Sequence, residues 1–483
     1  MSATLTKPRV QIDNPTGKRA RVAIVGGGLA GLAAGCALAD AGFAVKLLER
    51  RPFLGGRASS YQHPATGEVV DNCQHVLLGC CTNLLDFYKR LGVEDQIRWF
   101  EQLTFLLPNG KAGTIQPSSL PAPFHAAPSF LRFSVLSLGD KLAIARAMLA
   151  MTRRLPKESD ENFLAWLKRH GQTEQAIARF WAPVLVSALN DDLDQVSVRY
   201  AAMVFRDSFL KSAAAGRMGV PAAPLSEIYG RAGNYIEERG GEVLLRASVE
   251  SLAVNESTVI LRANGEEIES DYVVLAAPFQ EAMKLLPQST DGDALRAQTG
   301  ELKTVPITGI HFWFDREVTP LEHAVLLERT IQWMFQKSKL LRGRRDEGAP
   351  LAAGSHVELV VSSSKSLLTM GRNEILDLAL KEFTEFFPAA KEARVLKSAV
   401  IKEVHATFSP APHSDRYRPF PITPWPQIFL SGDWTATGWP ATMEGAVRAG
   451  YATAEALSFA TGEQRKFLVP DLAPRGLMKL FPA

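Results

Sequence analysis

Three glycines and one acid carry the clearest chemistry in this chain. Gly26-x-Gly28-x-x-Gly31 follows directly on Arg21 and the apolar run Val22-Ala23-Ile24-Val25, and Glu49 stands 18 residues past Gly31. A short β-branched run suits a central parallel strand. Gly26 permits a tight turn, Gly28 lets the backbone approach a pyrophosphate, and Gly31 lets a helix pack closely on the strand. The spacing predicts that helix over Leu32 to Ala41, with its N-terminal N–H groups and positive dipole end offered to phosphates. A second strand, Ala44 to Leu48, ends at Glu49, where a carboxylate accepts from ribose hydroxyls and disfavours a 2′-phosphate. The chemistry is therefore binding of an adenine dinucleotide without that phosphate. This unit alone does not tell FAD from NAD.

The next residues do. Glu49 is followed by Arg50-Arg51-Pro52-Phe53-Leu54-Gly55-Gly56-Arg57. An acid, a loop and Gly-Gly-Arg resemble the amine oxidase and phytoene desaturase superfamily of flavoproteins. The resemblance implies non-covalent FAD, with Gly56 and Arg57 at its diphosphate and dihydroxy chain and Arg50 beside them. A planar, permanently charged guanidinium suits a phosphate; a solvated surface Arg is the alternative. Far downstream, Ile428-Phe429-Leu430-Ser431-Gly432-Asp433-Trp434 reads as a strand ending in Gly-Asp, and Trp439 to Ala446 opens a last helix running to about Phe459. The superfamily closes its cofactor site with such a Gly-Asp. By that likeness Gly432 gives close approach, Asp433 accepts from a ribityl hydroxyl, and Thr442 and Met443 lie near the isoalloxazine. The dipole of the last helix would stabilise negative charge on a reduced flavin. Val249, at the end of Gly240 to Val249, is the candidate for backbone contact with adenine, with core packing as the alternative.

A third stretch, Asp71-Asn72-Cys73-Gln74-His75-Val76-Leu77-Leu78-Gly79, resembles the squalene-associated FAD-dependent desaturases, which act as hydroxysqualene dehydroxylases in hopanoid biosynthesis. Phe180-Trp181-x-Pro183, Ser187-Ala188-Leu189-Asn190 and Trp439 to Ala446 extend the likeness over about residues 20–460. It implies that reduced FAD delivers a hydride to a C30 allylic alcohol, which loses water to become squalene, after hand-over from the synthase that forms the alcohol. The leaving oxygen needs a proton. His75 is the candidate active-site polar group, against a His merely bonded to backbone beneath the flavin. Asp71 is the second candidate, with a loop-fixing role as its alternative. Asp191, Asp192 and Asp194 read as a solvated cap or helix start rather than a pocket acid. Relatives commonly carry Gly where this chain has Cys73, so its Cβ can reshape the loop beside the flavin. A carotenoid or phytoene desaturase is the nearest rival, sharing fold, cofactor and apolar substrate but running oxidatively. An amine oxidase fits less well, because Gly309 stands where those enzymes often carry a Lys before Phe314-Asp315. A non-enzymatic prenyl-lipid carrier conflicts with the intact Glu49, Arg57 and Asp433 set. No second nucleotide fingerprint marks a site for the electron donor.

These residues demand particular elements. Glycine motifs about 400 residues apart in one site require a discontinuous α/β, Rossmann-like FAD-binding domain with an α+β substrate domain inserted in it. The expected map is a flexible leader over 1–20, without a signal peptide; the FAD domain from 21–75, 221–300 and 421–460; the substrate domain from 76–220 and 301–420; and a tail over 461–483. Helices are expected over Asp140–Arg153 and Asn162–Trp181, and strands at Ile307–Phe314, His356–Val361 and Tyr272–Ala277, with a turn at Asn264-Gly265. The 483 residues allow two to four domains at roughly 100–200 residues each. With 54 basic and 51 acidic side chains, the net charge of +3 is too balanced to argue for nucleic acid. Four cysteines, none in a Cys-x-x-Cys pair, and nine scattered His give no metal spacing. A C30 hydrocarbon is nearly insoluble, so a cytoplasmic protein held peripherally at the inner face of a membrane is expected. Phe124 to Leu155 fits that need, combining Phe124, Phe130, Leu131, Phe133 and Leu136 with Arg132, Lys141, Arg146, Arg153 and Arg154. A helix packed on the substrate domain is the alternative. The tail Phe467 to Phe481 is a weaker second contact, and the oligomeric state stays open.

Overall fold

The computed structural model describes residues 19–152, 160–341 and 354–480. All but the last two residues of the expected leader, as well as Arg153, Arg154, Leu155 and Phe481, lie outside these ranges.

The nucleotide fingerprint folds as its spacing demands. Strand β1 (Arg21–Val25) leads into helix α1 (Leu29–Asp40), which returns to β2 (Ala44–Glu49). The helix starts three residues before the expected Leu32, because Gly28 already serves as its N-cap. It is apolar on every side and every residue from Leu29 to Ala39 is buried, so it can only be an interior helix. Three more strands complete a five-stranded parallel sheet: β3 (Glu242–Leu245), β4 (Tyr272–Leu275) and β5 (Ile428–Leu430), in the order β3-β2-β1-β4-β5. The C-terminal helix α2 (Met443–Ala460) packs along α1. Contact is so close that a Cβ on Gly450 would lie 2.4 Å from the Ala30 carbonyl. The sheet is thus assembled from both ends and the middle of the chain.

The inserted part has its own frame. A seven-stranded sheet runs Val395–Phe408, Thr304–Phe314, Ser355–Ser362, Trp333–Gln336, His323–Leu326, Leu103–Leu106, Ala112–Ile115. Helices between residues 127 and 216 cover it around an aromatic core that includes Phe163, Trp166, Trp181 and Phe205. The Asn264-Gly265 turn closes the hairpin of Val259–Ala263 and Glu266–Ser270, with both turn residues at positive φ.

Several expectations change. The helix Thr82–Leu91 and Ile97 share the apolar core of α1 and α2, which moves this stretch across the division drawn at residue 75. Asn162–Trp181 is not one helix: Phe163–Arg169 stops at Gly171, which takes φ +65°, and the chain restarts at Glu174 and passes through a π-helical turn at Ile177–Trp181. Asp191 is not a solvated cap, since it is buried and accepts from Lys365 and from Ser409 at 2.5 Å. Of the proposed membrane residues, Phe133 and Leu136 are core, whereas Phe124 and Leu131 are exposed.

Candidate functional site

The glycine turn builds the first wall. Gly26 sits at φ +113°, a region that costs an L side chain strain, and a Cβ there would meet the Ala276 carbonyl at 2.8 Å. A Cβ on Gly31 would fall 2.0 Å from the Gly26 carbonyl, so only glycine lets α1 start against β1. The first turn of α1 has no side-chain cap and no acid. A helix end with orphan N–H groups and no cap suits an anion. Glu49 closes the turn from the far side: its Oε2 accepts from the Gly27 N–H at 2.7 Å and its Oε1 from the Arg51 N–H at 2.8 Å. The second loop comes up against the first, with Gly55 bridged to Gly28 and a Cβ on Gly56 only 2.9 Å from Gly28 Cα.

The chain's two ends meet over this turn. Arg57 Nη2 lies 2.6 Å from Asp433 Oδ1, and Nη1 donates to the Ala406 carbonyl at 2.6 Å. The Gly432–Thr437 loop is fixed from below by Arg418. That buried guanidinium donates to the carbonyls of Asp433 at 3.0 Å and Thr435 at 2.6 Å, to Thr437 Oγ1 at 2.9 Å, and also pairs with Asp415 and Tyr200. Thr442 caps α2 by accepting from the Gly445 N–H at 3.0 Å, and Met443 Sδ accepts from Tyr229.

These loops and helix ends surround one cavity of about 580 Å³. Gly26, Gly28, Glu49, Arg50, Gly56, Arg57, Val249, Gly432, Asp433, Thr442, Met443 and His75 all line it. Gly31 and Asp71 do not: Gly31 shapes the wall from behind, and Asp71 is buried beneath the loop, held by Lys337 at 2.6 Å and Ser60 at 2.5 Å. Val249 faces the cleft from the start of the strand Val249–Val254. Cys73 is accommodated among Met218, Phe335 and Leu340, and burial pushes its thiol far up. His75 donates from Nδ1 to the Cys73 carbonyl at 2.6 Å, which leaves Nε2 as an acceptor. Burial outweighs the pull of that carbonyl and lowers the His75 pKa, so the ring is neutral near pH 7.

Beyond the dinucleotide cleft the same cavity becomes apolar, with Leu103, Phe105, Val184, Met203, Phe209 and Trp333 in its wall. Sequence reasoning missed these, because each reads as an ordinary core residue until the fold turns it inward. It also missed Glu403, whose carboxylate accepts from Asn72 Nδ2 at 2.9 Å, and Arg418, whose role no local spacing marks. Asn190, which its motif marks without a role, takes φ +56° and donates to the Val305 carbonyl and Thr407 Oγ1 at the cavity edge.

Comparison with known proteins agrees with this geometry. The family profile for flavin-containing amine oxidoreductases matches residues 29–458. A 15-cis-phytoene desaturase of Synechococcus elongatus is 28% identical over 460 residues, covering 90% of this chain and 95% of its own. A zeta-carotene desaturase of Zea mays is 27% identical over 496 residues, covering 94% and 87%. Among solved structures, putrescine oxidase bound to putrescine superposes with a TM-score of 0.66 at 17% identity, covering 91% of this chain and 99% of the other. Cyclohexylamine oxidase from Brevibacterium oxydans gives 0.63 at 17%, covering 92% and 100%. Glycine cradle, uncapped helix and Arg57–Asp433 closure fit FAD, and the chain belongs to the family of flavin-containing amine oxidoreductases.

Proposed function

We propose that this FAD-dependent oxidoreductase acts on a long isoprenoid chain. The observation that carries the reading is the single cavity that joins the FAD cleft to an apolar chamber. FAD supplies the capacity to accept or deliver a hydride. The protein's own residues do the rest. Leu103, Phe105, Met203 and Trp333 bind a hydrocarbon and exclude water. The uncapped end of α1 and Arg57 would hold the diphosphate. Thr442 orients α2, whose N-terminal dipole favours negative charge in front of it.

Two directions of reaction fit that chamber. Carotenoid-type desaturation is supported by the named relatives, which are phytoene and zeta-carotene desaturases. It removes a hydride from one carbon and a proton from its neighbour, and His75, neutral with a free Nε2, can take that proton. Reductive dehydroxylation of hydroxysqualene is supported by the likeness of the Asp71–Gly79 motif. There the same nitrogen must first gain a proton before giving it to the leaving oxygen. An anaerobic pair of assays separates the two. Oxidised holoprotein with phytoene and a quinone acceptor should yield a chain with more double bonds if the first direction holds. Pre-reduced holoprotein with hydroxysqualene should yield squalene if the second does. A yellow protein that converts neither, yet oxidises a primary amine, would sink the isoprenoid reading.

We also propose that the protein works at a bilayer surface. Among the described residues no helix is long and apolar enough to cross a membrane. Phe124, Leu131 (64% exposed), Leu138 (66%), Leu142 and Leu149 are nevertheless open to solvent, and the last three share one face of the helix Leu138–Met151. The tail joins them: the Leu477 N–H donates to the Ala122 carbonyl at 2.9 Å, bringing Leu477 and Leu480 (80%) alongside. Arg132, Arg146, Arg475 and Lys479 are exposed around this surface, and the acid of the Leu138–Met151 helix, Asp140, is buried. Apolar side chains ringed by cations suit anionic headgroups.

A further inference from the structure

Behind the chamber wall lies a cluster of buried ionisable groups that the chemistry above does not use. Lys337, 2% exposed, reaches back under the Asp71–His75 segment. Its Nζ donates to Asp71 Oδ2 at 2.6 Å and to Gln74 Oε1 at 2.7 Å. The Glu358 carboxylate stands 3.7 Å from the same ammonium. One cation thus serves two buried carboxylates, and the distances favour Asp71. Burial would raise Asp71, but Lys337 and Ser60 hold it below the ordinary range. Glu358 goes the other way: burial, with Asp71 adding to it, pushes it up to about 7 against the pull of Lys337.

Geometry gives Glu358 an outlet. It lies on the strand Ser355–Ser362, directly across from His311 on Thr304–Phe314. Among the described residues, no donor stands within hydrogen-bonding distance of either Glu358 oxygen, Lys337 at 3.7 Å being too far, and His311 Nε2 has no partner, although both residues are fully buried. Buried polar atoms are paired almost without exception, by protein or by water. Gly309, two residues before His311 on the same strand face, supplies the room. A Cβ there would lie 3.7 Å from Glu358 Oε1, 3.8 Å from His311 Nε2 and 4.0 Å from the Asn72 carbonyl. Three polar atoms around one small space are what a buried water needs. Asn72 is itself a wall residue of the chamber, so this space borders the reaction site.

We propose that Glu358 is a proton store for the chamber, exchanging its proton through a water bound beside Gly309, with Lys337 as the positioning residue that holds the store against the Asp71–His75 segment. The proposal rests on the chamber being the reaction site. Either direction of reaction moves one proton; His75 exchanges it with the substrate and Glu358 stores it: in dehydroxylation the carboxylic acid releases H⁺ to the water and the water passes one on, in desaturation the water gives one to the carboxylate and is refilled from the chamber, and no electron moves. The groups facing Glu358 are Asp71, Cys73 and Gln74 from the loop, Lys337 from its helix, and His311 and His356 from the strands. Burial keeps the Cys73 thiol protonated and both imidazoles neutral, and Lys337 stays charged because the two carboxylates overcome its burial. Glu358 is left as the member whose charge changes near neutrality.

The test is an infrared titration of the yellow holoprotein. Wild type should show a protonated-carboxyl band that disappears as the pH rises through neutrality, and Glu358→Gln should lack it. Lys337→Gln should move the titration to higher pH, and Lys337→Arg should restore it. Gly309→Ala, which puts a methyl in the water's place, should keep the band but slow its hydrogen–deuterium exchange at least tenfold. No titrating band in wild type, the same band in Glu358→Gln, or unchanged exchange in Gly309→Ala would overturn the proposal. If Glu358→Gln does not fold, the wild-type band and the Gly309→Ala exchange decide. No substrate is needed, so a failure here is distinct from a failed conversion assay.

Discussion

Arg57 and Asp433 stand 376 positions apart and hold each other at 2.6 Å across the cofactor cleft. A bond between charged groups is worth about 1.5–3 kcal/mol, and removing one partner leaves the other unpaired in a partly buried place. Arg57→Ala should therefore weaken FAD binding about tenfold or more, read as lost yellow absorbance after gel filtration. A fully yellow variant would show that the guanidinium does not face the cofactor. His75 makes a second prediction. Its lowered pKa means that the ring sheds its proton at a lower pH than a free imidazole does. A turnover that uses Nε2 as a proton acceptor should rise with pH, with its midpoint below the ordinary imidazole value of about 6.5. His75→Asn should lose that inflection and about a hundredfold in rate. An unchanged pH profile would make His75 a loop residue only.

Elements place these side chains, and their legibility varied with how local their cause was. β1, β2, β4, β5 and α2 could be read within a few residues, because a Gly turn, a β-branched run or a Thr cap sits inside each. The Gly171 break within Asn162–Trp181 and the Thr82–Leu91 helix's membership of the nucleotide core could not. The first needs one residue at positive φ, and the second depends on partners hundreds of positions away. The same holds at the site. The fingerprint residues announced themselves, whereas Arg418, Lys337 and Glu358 are lone charged residues that only tertiary structure brings together. Gly31→Ala tests the tightest element contact. Its Cβ would sit 2.0 Å from backbone, so α1 must move off β1. We expect a cost of about 2–3 kcal/mol, read as a lower unfolding midpoint in urea, together with weaker FAD binding. A variant with wild-type midpoint and FAD content would show that α1 can shift freely.

For the whole molecule, the proposed bilayer contact at residues 124–149 and 477–480 is open to a direct test. Leu138→Glu with Leu142→Glu changes two exposed side chains and leaves the core alone. This double variant should keep its FAD and its melting temperature, yet lose most sedimentation with phosphatidylglycerol vesicles. Wild-type binding should weaken as salt is raised, since the rim is cationic. Equal sedimentation of both proteins would remove this face from consideration. Neither strand order nor this patch was fully legible in advance, because Phe133 and Leu136 look as lipophilic in sequence as Leu138 and Leu142.

The packing of α1 on α2 has a consequence for how the protein is made. α1 begins at Leu29 and its partner begins at Met443, so 414 further residues must be synthesised before the two can meet. At roughly 5–20 residues per second that is a wait of about 20–80 s. Throughout it, a helix with no polar face stands without its final cover on a growing chain. FAD cannot rescue it earlier, since Asp433 also arrives late. Closure of the cofactor cleft thus requires that synthesis has passed Asp433 and α2, and a chain stopped before them leaves the apolar surface of α1 without that cover.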